Sequence, residues 1–297
     1  MRTLSQGGLV VRVMGSLRGI PVTRRSDRGP GRRQPRATQR RPEYLGGSMT
    51  DREAFFTVYH RSLPRQGPGH LESTARALFS IPTLVARPQV LDLACGAGAQ
   101  TLDLARLLPD ATITALDAHA PFLDELGLRA GAEGVADRIQ IVEGDLAQPP
   151  DGPHDLIWCE GAAYFLGFER ALEQWAPLLA PGGSIALTEP VWLSTDAPPR
   201  VRACWGAYPD LQPLSVRRAQ VAAAGLALHA DFVLPDRDWW ELYYSPLEAR
   251  VAALRAGAPP ELSAVLDAAQ EEIEVRRGWA GCYGYAFFVI GLPEEPR

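Results

Sequence analysis

Between residues 88 and 193 the chain alternates two rhythms. Short apolar runs of strand length, "QVLDLAC", "TITALDA", "IQIVEGD", "HDLIWCEG" and "SIALTEPVWL", are separated by helix-patterned stretches, "AQTLDLARLLP", "PFLDELGLRAGAEG" and "ERALEQWAPLLAPGG". Buried-looking strands joined through helices predict right-handed crossovers and a parallel sheet, so the expected class is α/β, doubly wound. Ahead of this block, "MTDREAFFTVYHRSL" reads as a helix with Thr50 as its N-cap, ended by the Gly/Pro break "RQGPGH", and "LESTARALFSI" reads as a second helix. Beyond it the pattern loosens into "STDAPPRVRACWGAYPDLQP". A helix "SVRRAQVAAAGL", a strand "ALHADFVLP", two further helical runs, "PLEARVAALRAG" and "PELSAVLDAAQEEIEVRRG", and a last strand "YAFFVIGLP" follow. No internal repeat interrupts this order.

Composition divides the 297 residues in two. Lysine is absent and all 30 basic residues are arginine; 11 of these fall within residues 1–48, beside only Asp27 and Glu43. From Met49 onward 19 arginines face 33 acids, a formal charge of −14. Residues 1–48, rich in Arg, Gly, Pro and Ser, are expected to be a disordered extension, with a nucleic-acid-binding or targeting arm as the alternative; residues 49–297 are expected to form one domain. An acidic body repels phosphate backbones, which argues against nucleic acid as the substrate of the folded part. No run approaches the roughly eighteen apolar residues of a membrane helix, so no membrane partner is expected. The cysteines, Cys95, Cys159, Cys204 and Cys282, show no CxxC pairing. They read as reduced thiols of a cytoplasmic protein, and no metal site is expected.

The chemistry concentrates where the first strand breaks into small residues, "VLDLACGAGAQT". In an open parallel sheet, ligands bind beyond the carboxyl ends of the strands, where the first strand turns into its helix. Gly96 and Gly98 allow a tight turn and a close approach. A dinucleotide fingerprint wants a third glycine where Thr101 stands. Asp92, inside the strand, would meet a pyrophosphate with like charge, whereas a cationic ligand suits it. S-adenosylmethionine, with a sulfonium and an amino group but no phosphate, fits. Asp117, ending "ITALD", can accept from two ribose hydroxyls. Asp145 in "IQIVEGDL" can accept from an adenine amino group, with the Leu146 amide reaching a ring nitrogen. Each acid alone is ordinarily a turn or capping residue; three at successive strand ends in register with a glycine loop point to a ligand.

These motifs resemble those of the class I S-adenosylmethionine-dependent methyltransferases. "LDLACGAG", "TALDA", "EGDL", "HDLIWCEGA" and "LAPGGSIAL" correspond to their successive motifs, and the resemblance runs over roughly residues 49 to 293. A narrower resemblance is to small bacterial proteins similar to the ubiquinone and menaquinone methyltransferases, through "LPRQGPG", "IWCEGAAYFLGFERAL" and "FVLPDRDWWELYY". The resemblance implies a mostly parallel seven-stranded sheet with an antiparallel last strand and a small lid of inserted helices and loops. It also implies a cofactor site of Arg65, Gly67, Asp92, Ala94, Cys95, Gly96, Gly98, Asp117, Ala118, Phe122, Gly144, Asp145, Leu146 and Glu160.

Methyl transfer is an in-line displacement that gains most from alignment in a dry site, and it needs a general base only where the acceptor must lose a proton. Glu160, Tyr164 and Glu189 lie past the ends of strands four and five and are the catalytic candidates. Glu160 is equally a ligand for the cofactor's amino group. Tyr59, Tyr164, Trp192 and Tyr243 are the candidates for the acceptor pocket. The late aromatics suit either a greasy pocket or the interface of a homodimer. The expected partner is a small-molecule acceptor. An NAD-dependent reductase on a related sheet, and a non-catalytic cofactor-binding protein, are the other classes considered.

Overall fold

Val90, Leu91 and Leu93 make the first strand an apolar run flanked by a polar entry, and they lie at the centre of the sheet. A computed structural model describes residues 49–293; the extension expected over 1–48 lies outside the described residues. The strands are β1 (Gln89–Leu93), β2 (Thr112–Asp117), β3 (Ile139–Glu143), β4 (His154–Cys159), β5 (Leu179–Trp192), β6 (Gln212–Pro213), β7 (Ala227–Val233) and β8 (Tyr283–Gly291). Their order is β3-β2-β1-β4-β5-β8-β7, with β6 paired to the end of β5. β1 through β5 pair in parallel, and β8 runs antiparallel to both β5 and β7. The doubly wound class and the antiparallel last strand are therefore as the sequence implied. The sheet has eight strands rather than seven because the two-residue β6 adds to the edge of β5 at Val191 and Trp192. β5 also starts earlier than the pattern indicated: the "APGG" segment is already within it.

Helices cover both faces. On one lie α1 (Asp51–Val58), α2 (Leu71–Phe79), α3 (Ala99–Leu107), α4 (Ala120–Ala132) and, near the sheet's end, α7 (Pro199–Cys204); on the other lie α5 (Ala163–Leu166), α6 (Phe168–Trp175) and α8 (Leu214–Ala223). The last strand shows how one sequence serves two layers. Its residues Tyr283, Tyr285, Phe287 and Val289 join the core with α1 to α4, while Ala286, Phe288 and Ile290 join the core with α6. Covered on both faces and paired on both edges, all nine of its residues are buried.

Thr50 caps α1 as expected. Its hydroxyl accepts from the Glu53 amide while the Glu53 carboxylate reaches back to the Thr50 amide, a complete capping box. The helix stops at Val58, earlier than the pattern indicated, because Tyr59 leaves helical geometry and His60 to Leu63 close a turn. Late in the chain, α9 (Asp236–Trp239) runs through a π-helical turn, Trp240–Tyr244, into α10 (Ser245–Leu254), and the long α11 (Pro260–Trp279) packs across α1. Among the described residues no helix is long and apolar enough to cross a membrane.

Candidate active site

β1 sits between β2 and β4, so the crevice where strand order reverses opens beyond its carboxyl end. The loop there is built from unusual backbone. Ala94 has φ 54°, Gly96 φ 56° and Gly98 φ 85°. A left-handed alanine costs about 1 kcal/mol or more, and residues held that way gather at ligand sites. The two glycines are needed for different reasons. A Cβ on Gly96 would stand 3.1 Å from the Gln66 amide oxygen, which also accepts from the Ala97 amide at 3.1 Å. A Cβ on Gly98 would collide with Leu126 of α4 at 2.2 Å, so this glycine seats one helix against the next rather than approaching a ligand.

Asp92 is fully buried beneath the loop. Thr101 donates to it at 2.6 Å and Gln100 at 3.4 Å, both from the first turn of α3. Burial pushes its carboxyl up to about 7, against the lowering effect of the Thr101 bond. The expectation that Asp92 touches a cationic ligand is corrected: it ties the loop to α3, and the residue standing in place of the third glycine is its partner. Cys95 is likewise buried, its thiol pushed up by burial, so only its backbone faces the crevice.

Asp117 closes β2 and accepts from the Gly96 amide at 2.9 Å and the His119 amide at 2.8 Å. Its pKa is raised, chiefly by burial, yet it keeps accessible surface. A group hemmed in by protein that still touches solvent-sized space is one that lines a recess. Ala118 is exposed beside it, and Phe122 is buried edge-on to Phe56 and His119. Asp145 is exposed, and accepts from the Ala147 amide at 2.9 Å in a local turn. Gly144 and Leu146 on either side of it are half-buried, Gly144 against Leu116.

At the end of β4 a closed polar node forms. Glu160 accepts from Arg65 at 2.5 Å, from Thr74 at 2.9 Å and from the Trp158 indole at 2.9 Å, and Arg65 reaches on to Asp103 at 3.4 Å. Both ends of the Arg65–Glu160 pair are buried. Gly69 is the glycine this node requires, since a Cβ there would meet the Arg65 guanidinium at 2.6 Å and the Glu160 carboxylate at 2.7 Å. Gly67, in the same loop, has open space around it. With three donors on its two oxygens and a buried arginine beside it, Glu160 anchors this loop to β4. His70, in the same loop, is the N-cap of α2.

Glu189 is fully buried and accepts from Arg217 at 2.8 Å and from Tyr208. It points to the face of Leu187 and Val191, away from Thr188 and Ala186, and its place among the catalytic candidates is corrected to an internal ion pair. Burial still pushes it up to about 7, with Arg217 opposing. Trp192, half-buried at the end of β5, lies under Arg202 at 5.3 Å.

Three of the four expected pocket aromatics do meet. Tyr164 hydrogen-bonds Tyr285 of β8 and feels the charge of Glu272 on α11. Tyr59 and Tyr243 both donate to Glu272, at 3.3 and 3.2 Å, and Tyr244 donates at 2.9 Å. Glu272, Tyr285, Gln66 and Thr74 were not foreseen, whereas Tyr244 stood among the late aromatics, Gly69 in the "RQGPG" loop, and Thr101 as a polar residue where a glycine was wanted.

The strand order, the reversal crevice and the glycine loop define a Rossmann-like fold of the methyltransferase type. Residues 90–183 match the family described as "Methyltransferase domain". A trans-aconitate 2-methyltransferase of Delftia acidovorans is 28% identical over 225 residues, covering 74% of this chain and 77% of that protein. One of the same name from Deinococcus radiodurans is 36% identical over 103 residues, 34% of this chain and 38% of its own length. The chain thus spans well under half the length of the curated relatives it matches first, 24% and 38%. Among solved structures, a SAM-dependent methyltransferase from Geobacter sulfurreducens in complex with S-adenosyl-L-homocysteine superposes with a TM-score of 0.69 at 23% identity, covering 82% of this chain and 97% of that one.

Proposed function

We propose that the protein is a methyltransferase that moves the methyl group of S-adenosylmethionine onto a small-molecule acceptor. The observation that carries this reading is the pairing of a left-handed glycine loop with Asp117 at the crevice where strand order reverses, inside the matched methyltransferase domain. The residues fit the cofactor. Asp117 keeps accessible surface, and its oxygens are engaged by the neighbouring backbone alone, leaving lone pairs for ribose hydroxyls. Asp145 and the Leu146 amide stand where an adenine edge can be read. The amide of Ala97 donates here to the Gln66 side-chain oxygen. When bound, the cofactor supplies an activated methyl on a positively charged sulfur.

The chain's own part is alignment and exclusion of water, with Arg65, Glu160 and Thr74 holding the loop after α1 against β4. The relatives' named substrate, trans-aconitate, is an acid. Its anionic groups call for arginine facing the acceptor, whereas Arg65 is committed to Glu160 and Asp103, and Arg217 to Glu189. That substrate is therefore not carried over. The acidic body leaves nucleic acid outside the reading as well, and the scattered thiols support a cytoplasmic protein.

Calorimetric titration of the full chain with S-adenosylhomocysteine, with NADH as control and Asp117→Ala as the variant, tests the reading. Micromolar binding that the variant loses upholds it. Binding of NADH in place of S-adenosylhomocysteine makes the protein a reductase instead.

A further inference from the structure

Glu272 lies midway along α11, and every donor it has is a phenol: Tyr243 at 3.2 Å and Tyr244 at 2.9 Å on one oxygen, Tyr59 at 3.3 Å on the other. A hydroxyl bound to a carboxylate ordinarily sits at about 2.5–2.7 Å, so two of these contacts are slack, and the carboxylate retains capacity for another donor. The groups that feel its charge come from every element around it: Tyr59 after α1, Tyr164 on α5, Cys204 ending α7, Tyr243 and Tyr244 in the π-helical turn, and Tyr283 and Tyr285 on β8. None of them is a cation. The arginines nearby in sequence are taken elsewhere, Arg276 by Asp236 and the Tyr283 carbonyl, and Arg277 by Glu248.

Burial is the main cause of the raised pKa of Glu272, and yet the residue keeps accessible surface. Asp117 shows the same combination in the cofactor recess. The π-helical turn adds a second, independent sign. Neighbouring residues on an α-helix diverge by about 100°, and the wider turn brings the hydroxyls of Tyr243 and Tyr244 to a single oxygen; such turns are rare and frequently lie at functional sites. The cluster is continuous with the end of β4 through Tyr164, which hydrogen-bonds Tyr285 and packs against Tyr208 at 5.4 Å.

We propose that Glu272, ringed by Tyr59, Tyr243 and Tyr244, is the docking site for a protonated amine on the acceptor molecule. A carboxylate withdrawn from water without a counter-ion is unfavourable until a cation arrives. An anionic acceptor would set carboxylate against carboxylate, and a neutral alcohol would leave the charge uncompensated. The proposal deepens the methyl-transfer reading by naming the acceptor's chemical class, and it rests on that reading.

The test uses one carbon skeleton in three charge states. The full chain, saturated with S-adenosylhomocysteine, is titrated calorimetrically with 2-phenylethylamine, 2-phenylethanol and phenylacetate, and the amine series is repeated on Glu272→Gln and Tyr243→Phe. The expected result is amine binding at least tenfold tighter than the alcohol and no saturation by the acid. Glu272→Gln is expected to reduce the amine to the alcohol's affinity with S-adenosylhomocysteine binding unchanged, and Tyr243→Phe to weaken it several-fold. Wild-type protein that takes the amine no better than the alcohol, whether both bind or neither does, overturns the proposal, as does an amine preference that survives in Glu272→Gln. Failure of wild type to bind S-adenosylhomocysteine is a different result, since it strikes the methyl-transfer reading itself.

Discussion

Glu160 and Glu272 are both carboxylates within the body of the protein, and their surroundings differ in one respect. Glu160 has a guanidinium, a threonine and an indole, with Arg65 carrying the compensating charge. Glu272 has three tyrosines and no charge. Glu189 belongs with Glu160, since Arg217 lies against it. Glu160 and Glu189 are compensated from within the fold, whereas the donors of Glu272 are phenols alone.

The strongest way to break this contrast is to strip a compensated acid of its cation. Arg217→Met leaves Glu189 fully buried without its cation, which is expected to cost about 3–5 kcal/mol. At roughly 2–4 °C per kcal/mol for a domain of this size, the melting temperature falls by about 10 °C. The double variant with Glu189→Met is expected to regain most of the loss. Calorimetric scans of the three proteins check this, and an equal loss in single and double variants would show that the pairing is incidental.

Next in size is the contrast between Gly98 in the loop after β1 and Gly67 in the loop before α2. Gly98→Ala drives a Cβ into Leu126 and holds alanine at φ 85°, an expected loss of about 2–3 kcal/mol. Gly67→Ala meets nothing and should stay within about 0.5 kcal/mol of wild type. Urea titration of both variants resolves the difference.

A subtler experiment sets the two acids against each other by pH. The Glu272 pKa is raised above its ordinary 4.5 in the folded state. The folded chain therefore binds its proton more tightly than the unfolded chain, and stability falls as pH rises from about that value through the folded pKa. Glu272→Gln removes this penalty, so its melting temperature relative to wild type should climb between pH 4.5 and pH 8. Glu160→Gln, which breaks the contact with Arg65, should be less stable than wild type at neutral pH. Curves for Glu272→Gln that run parallel to wild type would mean Glu272 is compensated after all.

The smallest effect expected is on cofactor affinity. Arg65→Lys keeps charge but loses the fork that spans Glu160 and Asp103. A several-fold weakening for S-adenosylhomocysteine is expected by titration, against near-complete loss in Asp117→Ala.

The cofactor end was legible because its signals are local. Apolar strands, a glycine loop and acids at strand ends all lie between Val90 and Leu146, and the order of elements was enough to assign the sheet. The roles of those acids were less legible, because burial cannot be read from spacing: Asp92 proved to be a brace for α3 and Glu189 half of an ion pair. The acceptor end left almost no trace. Glu272 sits in "QEEIE", which reads as a solvated helix face, and its donors come from 213, 29 and 28 residues away. Tyr59, Tyr164 and Tyr243 were drawn together only by their aromatic character and a family resemblance, and nothing in the pattern supplied the acid at their centre.

The antiparallel β8 also shapes how the chain can be made. It fits between β5 and β7, so β5 presents a bare edge from the moment Trp192 is made until Tyr283 arrives. Roughly 90 residues lie between, which at about 5–20 residues per second leaves that edge open for some 5–20 s of synthesis. β6 gives no cover there, because β8 holds Val191 and Trp192 from one side and β6 pairs with the same two residues from the side of β4. Until β8 arrives that edge is where one nascent chain is open to pairing with its neighbour on the next ribosome.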